Sequence, residues 1–203
     1  MQPDHDHDHS LSQEQGQLLV KLARQTLSHH FAKQTARDET DSLNDELADP
    51  CFNQTCGTFV TLTIDGQLRG CIGNLTSSES LVSGVRRNVI NAAFHDPRFP
   101  PLSASELDRV AIEISILSNP RPLSYRDGAD LLKKLRPNLD GVIIRKEFAS
   151  ATFLPQVWEQ LPQPRDFLKH LCLKAGLLAD AWQHSQLEVS TYQVQHFEEH
   201  SID

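Results

Sequence analysis

The sequence predicts an α+β fold, a mostly antiparallel sheet packed with helices. Three observations carry that prediction. Strand-like and helix-like runs are mixed along the chain, with no βαβαβ alternation and no internal repeat. Asp65-Gly66 stands between two strand-like runs and marks a hairpin. Val110, Ile112, Ile114 and Ile116 alternate with Ala111, Glu113, Ser115 and Leu117, the pattern of a strand with one strongly apolar face.

The elements follow in chain order. Ser12-Gln13-Glu14-Gln15 is a capping box, and Leu18, Leu19, Leu22, Ala23, Leu27 and Phe31 follow at helical spacing, so a helix should run to about Lys33. The acidic segment 36–50 reads as a loop. Residues 58–64, β-branched and aromatic, read as a strand that enters the hairpin. Ser77-Ser78-Glu79 offers a cap to a helix striped by Leu81, Val82, Val85, Val89, Ala92 and Ala93, which should end near His95 because Asp96-Pro97 disfavours continuation. Ser103-Ala104-Ser105-Glu106 is a second capping box before a short helix. After strand 110–117, Asn119-Pro120-Arg121-Pro122 is a break. Residues 127–135 read as helix, 141–146 as strand and 152–154 as a strand extension. Pro155 opens a short helix, residues 165–175 form another with Gly176 at its end, and a last strand covers about 187–197.

The chain has 203 residues, enough for a real core in one domain, or in one domain with a lobe. The apolar share is 38% and the mean hydropathy is −0.41, which describes an ordinary soluble protein. No apolar run is long enough for a membrane span, and the polar Asp/His start has no signal-peptide core, so a cytoplasmic protein is expected. The net charge of −8 lies in residues 1–10 and 36–50, which leaves the remainder neutral. A neutral body lacks the basic footprint of a nucleic-acid binder. Residues 1–10 read as a disordered tail. His5, His7 and His9 in it offer loose chelation at most, and residues 11–203 form the folded domain.

The four cysteines are Cys51, Cys56, Cys71 and Cys172, and their spacing fits no zinc site. Free thiols are expected in a reducing compartment. Cys172 shares a helical face with Leu168, Leu171 and Ala175, so it belongs to the core. Cys71 is different. It sits in Leu68-Arg69-Gly70-Cys71-Ile72-Gly73, where Gly70 and Gly73 remove side chains from a bend or a close approach. On a regular strand Arg69 shares a face with Cys71, and a nearby cation favours thiolate. Cys71 is therefore a candidate nucleophile or substrate-carrying thiol, with Arg69 tuning it or binding an anion. The plainer alternative is a small buried thiol beside a bulge.

His95-Asp96-Pro97-Arg98-Phe99-Pro100-Pro101 is the second cluster. Its prolines fix the directions of His95, Asp96 and Arg98, which suits a site and equally suits a structural turn. His95 is the candidate general base by residue type. Glu113, alone on an apolar strand, needs a partner such as Arg69 or Arg98 if it faces inward, and is a solvated residue if it faces outward. No P-loop, GxGxxG, HExxH or GxSxG occurs, and no motif points to a cofactor or a metal.

The segment 68–73 is similar to the signature of the AMMECR domain family, whose bacterial members are called AmmeMemoRadiSam system protein A. Asp96-Pro-Arg-Phe-Pro-Pro101, Thr152-Phe-Leu-Pro-Gln-Val-Trp-Glu-Gln160 and Lys174-Ala-Gly-Leu177 followed by Trp182 match in the family's order, over roughly residues 14–197. The chain departs from the pattern before Thr152, with Ser150-Ala151 in place of a basic or glycine-bearing pair. The resemblance implies an α+β protein of a larger and a smaller lobe, with the cysteine motif near a cleft between them. It also implies genetic association with a Memo-like protein and a radical SAM protein. Two functions remain: a cysteine-dependent enzyme or modification factor built on Cys71, Arg69 and His95, with Gly70, Gly73, Asp96, Arg98 and Glu113 in binding roles, or a non-catalytic adaptor domain.

Overall fold

The computed structural model describes residues 10–32, 43, 45–76 and 78–199. The Asp/His tail to residue 9 and most of the acidic segment lie outside the described residues. Contacts divide the chain into two compact units: Met1–Ser118 with Gln195–Asp203, and Asn119–Val194. The second is thus inserted in sequence within the first.

The first unit is built on a four-stranded sheet of order β2-β1-β3-β8. Strands β1 (Gly57–Ile64) and β2 (Gln67–Asn74) form the predicted hairpin. Asp65 and Gly66 both take positive φ, 52° and 74°, the backbone that a two-residue turn needs to match strand twist. Strand β3 (Val110–Leu117) pairs antiparallel with β1. Its predicted apolar face is buried, with Ile112, Ile114 and Ile116 packed beside Val60 and Leu62. Helix α1 (Gln13–Phe31) starts in the predicted capping box: Gln15 N–H donates to Ser12 Oγ, and Ser12 N–H to the Gln15 side chain. Its Leu19, Leu22, Ala23 and Leu27 join the same core. Helix α2 (Leu81–Phe94) ends at His95 as expected, but its cap is Ser80, one residue beyond the predicted group. The buried Asn88 amide donates to Thr58 O and Oγ1 at 3.0 and 2.8 Å and so ties α2 to β1. The second capping box opens a 3-10 turn, Ala104–Arg109.

The second unit holds a sheet of order β4-β7-β5-β6. Arg121–Pro122, expected only to break the chain, forms the short edge strand β4 beside β7. Strands β5 (Gly141–Lys146) and β6 (Ala149–Phe153) form a hairpin, so the predicted extension at 152–154 is the end of a longer strand. Helices α3 (Gly128–Lys134), α4 (Val157–Gln160), α5 (Pro164–Lys174) and α6 (Ala181–His184) accompany it. Their core centres on Trp158 stacked on Phe167, with ring centroids 3.7 Å apart, and includes Leu168, Leu171 and Cys172. Trp158 Nε1 donates to Asp140 O at 2.7 Å, which satisfies the one polar atom of a fully buried indole. Gly176, at φ 76°, closes α5.

The last strand expected over 187–197 is two strands in different sheets. β7 (Glu188–Tyr192) pairs with β4 and β5, and β8 (Val194–Glu198) lies beside β3. One residue, Gln193, separates them.

Candidate functional site

The site builds outward from Cys71. β2 is an edge strand, so every second residue turns its main-chain groups away from β1. At Cys71 those groups are both taken. Its N–H donates to Asp96 Oδ2 at 2.8 Å, and its carbonyl accepts from Arg98 Nη2 at 3.2 Å. Asp96 is 2% exposed and accepts three more bonds, from the Arg98 backbone N–H, Nε and Nη2 at 3.1, 2.9 and 2.7 Å. The Arg98 guanidinium, then the Cys71 and Arg98 amides, hold its carboxyl well below the usual carboxylate range. Asp96 in turn raises the pKa of Arg98, and the Cys71 thiol adds to that in a smaller way. The proline-rich loop thus grips the cysteine's backbone and places a guanidinium beside its thiol.

Arg69 does not fill the place expected of it. The β1–β2 register pairs Leu62 with Gly70 and Thr63 with Leu68, so Arg69 is the extra residue of a bulge. The bulge breaks the regular alternation on which a face shared with Cys71 depended. Arg69 donates instead to both Glu106 oxygens at 2.8 and 3.2 Å and to the carbonyls of Pro100 and Pro101. This pairing, with the Ser103 N–H and hydroxyl, depresses the Glu106 carboxyl to about 2. The cation facing Cys71 is Arg98.

Both motif glycines are explained by protein atoms. A Cβ on Gly70 would meet the carbonyl oxygen of Ala92 in α2, and one on Gly73 would meet Thr58 O and the Phe59 ring. Each admits a close packing partner, one of the two uses expected of a glycine there. His95 is exposed at the end of α2, and its ring forms no hydrogen bond with the described residues.

Sequence reasoning missed two side chains on the sheet face opposite α2. Thr61 lies directly across from Cys71 and, on its other side, across from Glu113. Its hydroxyl donates to Cys71 Sγ at 3.3 Å. Glu113 finds neither arginine. Its Oε1 lies 3.2 Å from His196 Nδ1 and accepts from Ser115 Oγ at 3.3 Å. His196 is the leading influence that lowers the Glu113 pKa. Cys71, Thr61, Glu113 and His196 therefore form a row across all four strands. The lone carboxylate at position 113 was the only local signal for it.

The four cysteines are free thiols. Burial pushes Cys51 and Cys56 up to about 11 and raises Cys172. No group of three metal-ligating side chains occurs among the described residues, and none of their helices is long and apolar enough to cross a membrane. In the second unit two motifs meet: Lys174 Nζ donates to Thr152 O at 3.0 Å and lies 5.1 Å from the Phe153 ring centroid.

This mixed fold, with its signature hairpin gripped by a proline-rich loop, matches a known family. The AMMECR1 family model covers residues 20–197, and the chain belongs to that family. It is 37% identical to a protein of Methanothermobacter thermautotrophicus over 194 residues, which covers 93% of this chain and 96% of the relative. A protein of Methanosarcina barkeri is likewise 37% identical, with 93% and 92% covered. The crystal structure of the uncharacterized protein PH0010 from Pyrococcus horikoshii superposes with a TM-score of 0.74 at 31% identity, over 93% of each chain.

Proposed function

We propose that this AMMECR1-family chain is a cysteine-dependent enzyme or modification factor whose reacting group is the Cys71 thiol, and that it works with Memo-like and radical SAM proteins. The observation that carries the reading is the triple hold on Cys71: Asp96 on its amide, Arg98 on its carbonyl and Thr61 on its sulfur. The two main-chain bonds fix the residue and the Thr61 bond fixes the sulfur, as a reacting atom requires. Arg98 replaces Arg69 as the countercharge for a thiolate. His95, one residue before Asp96, stays the candidate base in the same loop. The pairing with Memo-like and radical SAM proteins rests on the family resemblance.

A binding or adaptor domain is the second reading. It is favoured by the two glycines, whose packing explains part of the motif without chemistry. Cys71→Ser separates the two. Complementation of a strain lacking the gene should fail while urea unfolding shows a loss below about 1 kcal/mol, because a half-exposed hydroxyl finds partners. Full complementation at normal stability favours the adaptor. A loss of about 1–3 kcal/mol marks Cys71 as a structural residue.

A further inference from the structure

The bonds at Cys71 also constrain what it can react with. Acyl transfer puts negative charge on a carbonyl oxygen, which needs preorganised donors, and the nucleophile's own amide is a common one. Here that amide is committed to Asp96 Oδ2 at 2.8 Å, so a carboxylate occupies the donor that an oxyanion would commonly use. The guanidinium that neutralises it is bonded to both Asp96 oxygens and to the Cys71 carbonyl. The sulfur, by contrast, has a donor. Thr61 and Cys71 are register partners, and the Cys71 main-chain groups point away from β1, which marks a non-hydrogen-bonded pair. Side chains approach closest in such pairs, and Thr61 Oγ1 comes within 3.3 Å of Sγ.

We infer that Cys71 acts by substitution at a soft centre, a saturated carbon with a leaving group or a sulfur, rather than by acyl transfer, and that Thr61 is the hydrogen-bond donor that stabilises the ionised sulfur. The inference rests on the reading of Cys71 as the reacting group. In the step, the thiol proton passes to the candidate base His95. A sulfur lone pair forms the new S–C or S–S bond, and the leaving group departs with the electron pair of the bond that breaks. No oxyanion develops, so a carboxylate at the Cys71 amide does not oppose the reaction.

The test uses the full chain and three probes: iodoacetamide for saturated carbon, hydroxyethyl disulfide for sulfur and p-nitrophenyl acetate for an acyl group. Rates at Cys71 are read by peptide mapping and divided by those of N-acetylcysteine at the same pH. The acyl ratio should fall at least about tenfold below the other two, in keeping with the weight of a missing oxyanion donor. Thr61→Val should slow alkylation severalfold and move its pH midpoint upward, and Thr61→Ser should restore both. Thr61→Ala serves the same purpose if the valine variant does not fold. An acyl ratio equal to or above the alkyl ratio overturns the substrate class. An unchanged pH profile in the Thr61 variants removes Thr61. A Cys71→Ser chain that functions fully in the cell defeats the reading of Cys71 as reacting group without altering these ratios, so the two ideas fail separately.

Discussion

The Asp96 carboxylate accepts the backbone N–H of Cys71 at 2.8 Å, in the position a neighbouring strand's carbonyl would occupy along the edge of β2. Together with Arg98 on the Cys71 carbonyl, it stands in for a missing strand at this residue and keeps an exposed edge from pairing elsewhere.

Asp96→Ala should therefore destabilise the protein by about 1–3 kcal/mol, since it leaves an amide and a guanidinium without their acceptor. Urea unfolding measures it. The pH dependence has a defined sign. The folded-state pKa of Asp96 is depressed, so its contribution is complete above the unfolded value of about 3.9 and is lost as pH falls from there toward the folded value. An Asp96→Asn chain should lose less stability across that range than the native chain.

Gly70→Ala should cost at least about 1–3 kcal/mol, because the new methyl meets the Ala92 carbonyl of α2 and backbone cannot step aside as a flexible side chain can. Gly73→Ala should behave alike, against Thr58 O. A circular-dichroism melt in which either variant matches the native chain would show that α2 and β1 yield more easily than their packing implies.

Arg98→Ala should change the alkylation rate of Cys71 more than Arg69→Ala does, because only Arg98 touches the cysteine. Arg69→Ala should instead lower stability at neutral pH and flatten the acid limb of the stability profile. Glu106 has a folded pKa of about 2, so its ion pair contributes above the unfolded value of about 4.5, and that contribution fades between the two. Site-resolved alkylation and acid titration of both variants check the pair.

Glu113→Gln should flatten the acid limb of the stability profile. The His196 imidazole lowers the Glu113 pKa, so the pair stabilises the fold above the ordinary carboxylate value and loses that stabilisation as pH falls below it. His196→Ala should reproduce most of this effect, and a steeper acid limb in either variant would count against the pairing.

What the chain determined locally was the identity of its elements. The Asp65-Gly66 turn, the alternation over residues 110–117, the Ser12 capping box and the helical face of Cys172 are short-range patterns, and each appears where it was expected because each depends on residues a few positions apart. The cysteine motif and the proline loop were legible as distinct segments, and so was the family they point to. Which side chain serves which was decided only by tertiary structure. One extra residue at the bulge turned Arg69 to Glu106 and left Arg98 beside Cys71. One residue at Gln193 carried the chain from one sheet to the other and brought His196 to Glu113, 83 positions away. Thr61 met Cys71 because strand register set them opposite each other. The Asp65-Gly66 turn sets the hairpin register only as far as the bulge; the bulge and the strand order depend on the packing of distant segments, which no local pattern encodes.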